Sequence, residues 1–239
     1  MRTARTIFVT GTDTSVGKTA VTAMLLAHAQ AEGINVRALK PFSTGGGGDE
    51  ALLASLQKST LRINFFNYHE PIAPWSAAKL HEAKIPIEAV LQPIQEHRAR
   101  CELLLVEGAG GLLTPLGDRF SAAELITELH AEAIVVAANR LGVLNHTLLT
   151  IDALHRRGVD RIRVALVELA GADLSRKSNL ADLTELLGAI PVIAMRYLEN
   201  FRTEADFIRA SAKRLRGELA ALIDDKKNPP DTEAEGTFP

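Results

Sequence analysis

A glycine-rich loop near the start of the chain has the residue types that bind phosphate. It reads Gly11-Thr-Asp-Thr-Ser-Val-Gly17-Lys18-Thr19 and lies between an apolar run, Ile7–Val9, and a helical pattern. Glycines let backbone amides turn inward, the helix start adds positive partial charge, a lysine reaches the β- and γ-phosphates, and a threonine hydroxyl binds Mg²⁺. The usual spacing has glycine at position 12, where this chain has Thr12. The loop predicts nucleotide contacts from Thr14, Ser15, Val16, Gly17, Lys18, Thr19 and Ala20.

A second glycine cluster accompanies an acidic residue. Glu107 follows the apolar run Leu103–Val106 and is followed by Gly108-Ala-Gly-Gly111. In open α/β sheets ligands bind at the carboxyl ends of the strands, so a carboxylate delivered there faces the ligand. A lone glutamate after a strand is usually a solvated loop residue, but the neighbouring glycines and the phosphate loop reverse that preference. Glu107 is therefore the expected Mg²⁺ partner of Thr19, with nucleotide contacts from Gly108, Ala109 and Gly110.

The elements that position these loops alternate between apolar β-branched runs and helical periodicity. The first helix is predicted from Gly17 to about Glu32. Runs that are apolar at successive positions indicate a sheet covered on both faces. The pattern predicts a doubly wound α/β fold with a mostly parallel sheet flanked by helices. Further strands are predicted at Val36–Leu39, Leu103–Val106, Ala133–Ala137, Arg163–Val167 and Ile190–Ile193.

Capping signals and composition predict where the folded part ends. Ser121–Glu124 reads as a capping box at a helix start, and Thr203–Asp206 is similar. The last helix is predicted to run to Ile223. From residue 224 the sequence becomes polar and proline-rich, which predicts a disordered tail at 224–239 after one catalytic domain at 1–223.

The overall composition excludes several classes of protein. The 239 residues include 27 basic and 29 acidic side chains, a net charge of −2, which argues against partners such as nucleic acid or a membrane surface. No apolar run approaches the roughly 18 residues of a membrane span, and no signal peptide is evident, so we expect a cytoplasmic protein. The single cysteine, Cys101, excludes an internal disulfide framework.

These motifs resemble those of the dethiobiotin synthetase family. The resemblance covers roughly residues 5 to 200 in consistent order, and the extra residue in the phosphate loop is that family's own form. The cobyrinate synthases of amidotransferase type share related motifs. The matching segments, besides the phosphate loop, are Leu39-Lys40-Pro41, Glu70–Pro74, Val106–Gly111 with Thr114-Pro115, and Leu141–His146.

The resemblance implies a fold of the P-loop NTPase type and an ATP-dependent ligase of biotin synthesis. One amine of 7,8-diaminopelargonate takes up CO₂ as a carbamate, the γ-phosphoryl group passes to the carbamate oxygen, and the second amine closes the cyclic urea. Because a carbamate anion must approach a triphosphate, cations are the expected catalysts. The resemblance assigns catalysis to Lys18 and Lys40, and Mg²⁺ binding to Thr19, Asp49 and Glu107. Glu50 is an alternative to Asp49 if the loop alignment slips by one residue.

The resemblance also implies substrate contacts. Thr44 stands where the family has a serine that contacts the diamine. Gly142, Val143 and Asn145 match a helix start that binds the substrate carboxylate across a homodimer interface, in line with anion binding at helix N-termini. Gly45–Gly48 is expected to be a mobile substrate loop. Pro191, Val192 and Ile193 match the family's second base-contacting segment.

Two positions depart from the family pattern. The strand that ends in a base-reading asparagine in the family ends here in Glu168, which accepts hydrogen bonds but cannot donate them when ionised. We therefore hypothesise that base selectivity is weak or shifted towards another nucleoside triphosphate; the alternative is a shifted alignment that leaves Glu168 on the surface. Trp75 replaces a common histidine and is expected to wall the entrance without a catalytic role.

Rival interpretations come from other classes. Nucleotide-dependent switches of the partition or septum-placement type use a related loop, with a signature lysine five residues before the loop lysine; here that position is Asp13. A cobyrinate amidase synthase would need a glutaminase domain for which no sequence remains. A non-catalytic homologue stays open. Phosphate release that depends on both diamine and bicarbonate separates the synthetase from these alternatives.

Overall fold

The computed structural model describes residues 4–46, 48–57, 62–171, 173–196 and 203–224. The predicted tail lies outside these residues apart from Asp224. Six strands form one parallel sheet, and two shorter strands pair separately. The strands are β1 (Arg5–Gly11), β2 (Val36–Leu39), β3 (Phe42–Thr44), β4 (Phe66–Tyr68), β5 (Leu103–Glu107), β6 (Glu132–Ala138), β7 (Ile162–Val167) and β8 (Val192–Met195).

Helices connect the strands and cover the sheet, so the predicted doubly wound α/β class is confirmed. The helices are α1 (Lys18–Ala31), α2 (Asp49–Ser55), α3 (Pro74–Leu80), α4 (Glu88–Arg98), α5 (Ala122–Glu128), α6 (Val143–His155), α7 (Arg176–Leu187), α8 (Ala205–Arg214) and α9 (Arg216–Ile223).

The six-stranded sheet has the order β2-β5-β1-β6-β7-β8. Every residue of β5 and β6 is buried, as continuous apolar runs predict for strands covered on both faces. The order reverses at β1, whose neighbours are β5 and β6. Ligands bind at such a switch point, beyond the carboxyl ends of the strands, and the phosphate loop follows β1 directly.

Helix α1 is rich in alanine and leucine and has ten buried residues, which matches its place against the sheet. Gly17 forms its N-cap with a φ of 101°, a left-handed conformation that favours glycine. A β-carbon at Gly17 would also lie 3.4 Å from the Cγ1 atom of Val167. The phosphate loop is therefore packed directly against the carboxyl end of β7.

Some local predictions are confirmed and others are wrong. The capping box at Ser121 forms, with Glu124 accepting from the Ser121 amide. The similar signal at Thr203 does not, since α8 has Glu204 as its N-cap without a side-chain bond. Strand β8 begins at Val192 rather than Ile190 because its ladder with β7 starts at the pair Val164–Val192.

The two three-residue strands β3 and β4 are too short for a periodic signal, and the sequence did not predict them. They form beside the phosphate loop and pair in parallel from Phe42–Phe66 to Thr44–Tyr68. Among the described residues, no helix combines the length and the apolar character needed to cross a membrane.

Candidate active site

A cavity of about 440 Å³ opens at the carboxyl edge of the sheet, next to the phosphate loop. It brings together most of the loop, the strand that ends in Glu107, and the region around Lys40. Its walls are formed by Thr14, Ser15, Gly17, Lys18, Thr19, Ala20, Lys40, Phe42, Ser43, Thr44, Asp49, Glu107, Ala109 and Gly110.

The phosphate loop holds Lys18 in a bent conformation. Its Nζ atom donates to the backbone carbonyl of Asp13 at 2.8 Å. A β-carbon at Gly11 would lie 3.1 Å from the Nζ atom and 2.9 Å from Val16, so this glycine leaves room for the lysine to fold back. Burial lowers the pKa of Lys18 to about 8, against which Glu107 acts to raise it. A bound triphosphate would place negative charge beside the Lys18 ammonium and so stabilise its protonated form.

Glu107 is the acidic centre of the cavity and is fully buried. Its Oε1 atom accepts from the Thr19 hydroxyl at 2.7 Å and from the Lys40 ammonium at 2.5 Å. Its Oε2 atom is buried and has no hydrogen-bond partner. A buried carboxylate oxygen without a donor is costly, and a hard cation is a natural partner for it. The Thr19 and Glu107 pair therefore has the donor chemistry that Mg²⁺ requires.

Asp49 contacts the same cluster, whereas Glu50 is bonded to Ser43 on the neighbouring cavity wall. Lys40 Nζ lies 3.2 Å from Asp49 Oδ2. Glu50 instead accepts from the Ser43 hydroxyl at 2.9 Å. Burial lowers the pKa of Lys40, but Glu107 and Asp49 outweigh it and raise that pKa above its ordinary value. Between the two candidate metal ligands, this geometry favours Asp49.

The sequence did not identify the residues that shape the Lys40 side of the cavity. The Asn64 amide donates to the Lys40 carbonyl at 2.8 Å and to the Ser43 hydroxyl at 3.0 Å. It thereby fixes the start of β3, which carries Thr44 into the cavity wall. Asn64 follows no recognisable motif and lies 24 positions from Lys40, so only the tertiary structure reveals it.

Two of the residues predicted to contact the nucleotide, Gly108 and Val16, are packed in the protein interior. Gly108 is buried under β1, where a β-carbon would lie 3.0 Å from the ring of Phe8. Val16 is also buried, with its side chain near Gly11. Neither Gly108 nor Val16 lines the cavity, so any contact that these two residues make with the nucleotide would come from their backbone.

Glu168 follows β7 at the same edge of the sheet and is anchored there. Its amide donates to the Met195 carbonyl at 3.0 Å, which aligns it with the end of β8. Its Oε1 atom accepts from the side-chain amide of the buried Asn139 at 2.5 Å. Glu168 is thus held at the carboxyl edge of the sheet, with its side chain about one third exposed.

Pro191, Val192 and Ile193 are not brought to this edge. Val192 pairs with Val164, and three further register steps separate that pair from Val167–Met195 at the carboxyl edge. At about 3.3 Å per residue this is roughly 10 Å along the strand. The base contacts expected from Pro191, Val192 and Ile193 stay a prediction.

Gly142, Val143 and Asn145 form the first turn of α6, outside the cavity described above. Gly142 is the N-cap with a φ of 93°, and Asn145 is exposed. Within one copy of the chain, these residues therefore do not meet Thr44. Trp75 is 38% exposed, and the Lys79 ammonium lies 4.5 Å from the centre of its ring.

A larger cavity of about 590 Å³ lies at the opposite, amino edge of the sheet. It is lined by Arg5, Arg98, Arg157 and Arg161 and by Glu132. Glu132 Oε1 accepts from Arg5 and Arg161, and Oε2 accepts from Arg5 and the fully buried Arg163. The carboxylate is fully bonded, and the described residues that line this cavity include no glycine-rich loop like that of residues 11–19.

Comparison with known proteins identifies the family of the chain. A family model described as an AAA domain matches residues 5–196. The ATP-dependent dethiobiotin synthetase BioD of Methanococcus vannielii is 39% identical over 67% of this chain and 77% of its own length. The protein of the same name from an Anaeromyxobacter species is 33% identical over 90% of this chain and 99% of its own. That from Mycobacterium leprae is 39% identical over 77% and 86%.

Solved structures show the same fold at low identity. A ParA family ATPase from Chlorobium tepidum superposes with a TM-score of 0.55, at 14% identity, over 93% of this chain and 94% of its own. The MinD cell division protein of Aquifex aeolicus gives 0.56 at 16% identity, over 90% and 97%. These likenesses show the fold alone, whereas the sequence relatives cover most of both chains. The chain belongs to the ATP-dependent dethiobiotin synthetase family.

Proposed function

We propose that this chain carboxylates 7,8-diaminopelargonate with CO₂ and closes the ureido ring at the expense of ATP. The observation that carries the proposal is the juxtaposition of the phosphate-loop Lys18 with Lys40 around the buried Glu107. A site for joining a carbamate to a triphosphate must neutralise two anions that approach each other. Two buried lysines in one cavity meet that requirement.

The chemistry divides between the two lysines. The carbamate oxygen attacks the γ-phosphorus, the bond to the β-phosphate oxygen breaks, and ADP leaves. Lys18 follows the loop glycine and would hold the β- and γ-phosphates, while Lys40 enters the cavity from the end of β2 and would face the carbamate. The second amine then attacks the carbamate carbon, loses a proton, and expels phosphate. In both steps the lysines offset charge that is already positioned by binding.

Mg²⁺ is the proposed cofactor, held by Thr19, Glu107 and Asp49. Glu107 presents an unpartnered buried oxygen, and Asp49 has a half-exposed carboxylate on the other side of Lys40. The metal would lower the negative charge of the triphosphate and of the leaving group. Lys40 bridges the carboxylates of Glu107 and Asp49. A divalent cation bound between these carboxylates would replace Lys40 there and leave its ammonium group free to face the carbamate.

The diamine is proposed to lie against Thr44 at the end of β3. The first turn of α6, with Gly142, Val143 and Asn145, offers backbone amides and a side-chain amide suited to a carboxylate. Because Gly142 and Asn145 are exposed and the turn lies outside the cavity of its own chain, we place it against the substrate of a second copy. The functional unit is then a homodimer in which each copy completes the site of the other.

The test is phosphate release with the product identified by mass. We expect release that requires both diamine and bicarbonate, with a product heavier than the diamine by one carbonyl in place of two hydrogens. A nucleotide-dependent switch would instead hydrolyse ATP without the diamine and co-sediment with DNA or lipid vesicles. Diamine-independent hydrolysis without the cyclic product would contradict the proposal.

A further inference from the structure

A chain of hydrogen bonds joins the segment that carries Lys40 to the helix that carries Asp49. The Asn64 amide donates to the Lys40 carbonyl at 2.8 Å and to the Ser43 hydroxyl at 3.0 Å. The Ser43 hydroxyl donates in turn to Glu50 Oε2, in the first turn of α2, at 2.9 Å. Lys40, Ser43 and Asn64 are each at most 7% exposed, so water has little access to replace these bonds.

The direction of each bond in this chain is fixed by chemistry. The Lys40 carbonyl only accepts, so the group of Asn64 that faces it must be the NH₂ group. The second proton of that group goes to the oxygen of Ser43. The hydroxyl proton of Ser43 is then left for the Glu50 carboxylate, which only accepts when it is ionised. The chain therefore ends on a charged acceptor, and hydrogen bonds to charged groups are among the stronger ones.

The first turn of α2 depends on this chain for its position. Its N-cap residue makes no side-chain hydrogen bond, and the helix has only seven residues. The Asp49 side chain is half exposed, with its Oδ2 atom 3.2 Å from the Lys40 ammonium. A half-exposed ion pair stabilises little by itself. The bond between Ser43 and Glu50 ties the turn to β3 and so holds Asp49 in place.

We infer that Ser43, held by Asn64 and bonded to Glu50, is a positioning residue that sets Asp49 beside Lys40. It acts through these two side chains rather than on the reactants. Such placement matters because a shift of about 1 Å can lower a rate by about 100-fold. The inference rests on the proposed function for the part that Lys40 and Asp49 take in the reaction, whereas the placement of α2 is independent of it.

The first experiment measures amide hydrogen exchange in the nucleotide-free protein by mass spectrometry. Ser43→Ala removes the proton that Glu50 accepts, and we expect the amides of α2 to exchange about 10-fold faster. The amides of β6, on the other side of β1, should keep their wild-type rates. Unchanged exchange in α2, or equally faster exchange in β6, would overturn the inference. This result does not depend on the diamine or on turnover.

The second experiment measures kcat and the KM for ATP at saturating diamine. In Ser43→Ala we expect kcat to fall about 10-fold with the KM for ATP within about 2-fold of the wild type, since the phosphate loop is untouched. An unchanged kcat, or a KM that rises as much as kcat falls, would overturn the positioning role. A wild type that makes no cyclic product would contradict the proposed function, and the exchange experiment would still decide the placement of α2.

Variants of Glu50 test whether the two residues act through one bond. Glu50→Ala removes the acceptor, so the double variant with Ser43→Ala should lose no more kcat than either single variant. Additive losses would contradict the chain. Glu50→Gln keeps an oxygen that accepts from Ser43 and should restore both exchange and kcat to within about 3-fold of the wild type. A loss in Glu50→Gln as large as in Glu50→Ala would show that the charge of Glu50 acts elsewhere, and the assignment would fail.

The matched control is Ser55→Ala, the same change at an exposed position of α2. The Ser55 hydroxyl donates to the Leu52 carbonyl of its own helix at 2.8 Å and makes no link to β3. We expect kcat of Ser55→Ala to match the wild type. If it falls as much as in Ser43→Ala, the effect belongs to a general loosening of α2 rather than to the bond between Ser43 and Glu50, and the inference is wrong.

Discussion

Two buried glutamates at opposite edges of the same sheet differ in how completely they are bonded. At the carboxyl edge Glu107 has two donors on one oxygen and none on the other. At the amino edge Glu132 accepts four hydrogen bonds from three arginines, shared between both oxygens. Both sites combine a buried carboxylate with basic side chains, but only Glu107 has a carboxylate oxygen without a partner; at the amino edge the unpartnered group is the Nε atom of Arg163.

The type of basic residue around each carboxylate distinguishes a binding centre from a structural one. Arginine has a rigid planar fork that pairs with a carboxylate through two bonds, as Arg5 does with Glu132. Lysine is a flexible point charge that can move between partners, as Lys40 is shared by Glu107 and Asp49. A closed arginine cluster fixes strands, while an open lysine cluster can accept a ligand. The larger cavity is therefore not the active site.

Replacing Lys40 should reduce activity strongly. Lys40→Met keeps the bulk of the side chain but removes the charge opposite the carbamate, and we expect turnover to fall about 1000-fold. Because Lys40→Met also leaves the buried Glu107 without its ammonium partner, turnover is compared per folded molecule. Phosphate release and thermal unfolding measure the two properties, with Lys79→Met at the exposed Trp75 as control. Turnover above a tenth of the wild-type value would remove Lys40 from the catalytic group.

The next effect concerns stability at the other edge. Glu132→Ala leaves the fully buried Arg163 and its neighbours without their common anion, and breaking such a buried pair costs about 3–5 kcal/mol. We expect urea unfolding to show that loss, while turnover per folded molecule at low temperature stays near the wild-type value. A variant that is as stable as the wild type, or one that is folded but inactive, would contradict the assignment of Glu132 to a structural role.

The smallest effect is a dependence of stability on pH. Burial raises the pKa of Glu132, but the bonds and charges of Arg5 and Arg163 outweigh it and lower that pKa below 4.5. The ionised Glu132 therefore contributes to the free energy of unfolding above pH 4.5, and this contribution is lost as the pH falls through the pKa of Glu132 in the folded state. The stability difference between wild type and Glu132→Gln should therefore narrow below pH 4.5 in urea unfolding. A difference that stays constant from pH 7 to pH 3.5 would contradict the low pKa.

Sequence predicts the main sheet well because its strands are local and strongly apolar. Leu103–Val106 and Ala133–Ala137 became the cores of β5 and β6. Predictions were wrong where long-range pairing sets the outcome. All of Ile190–Ile193 is compatible with a strand, and only the register with β7 decides that β8 begins at Val192.

The candidate site shows the same division. Loop composition places Lys18, Thr19 and Glu107 together, since Glu107 ends β5 and the loop with Lys18 and Thr19 follows β1 at the same edge. Lys40 and Asp49 needed the family resemblance, because neither has a local signal beyond a charge near glycines. Asn64 and Asn139 were missed because their roles consist of hydrogen bonds to residues more than 20 positions away.

The arginine cluster at the amino edge also bears on how the chain completes its fold during synthesis. Arg5 donates to the carbonyl of Ile223, 218 positions later, and Arg163 to that of Asp224. The central strand β1 can pair with β5 and β6 once residue 138 has emerged, but these bonds must wait for the last helix. Long-range closures of this kind slow folding. A ribosome-bound chain that lacks α9 would thus hold an assembled phosphate loop on a sheet whose opposite edge is still open.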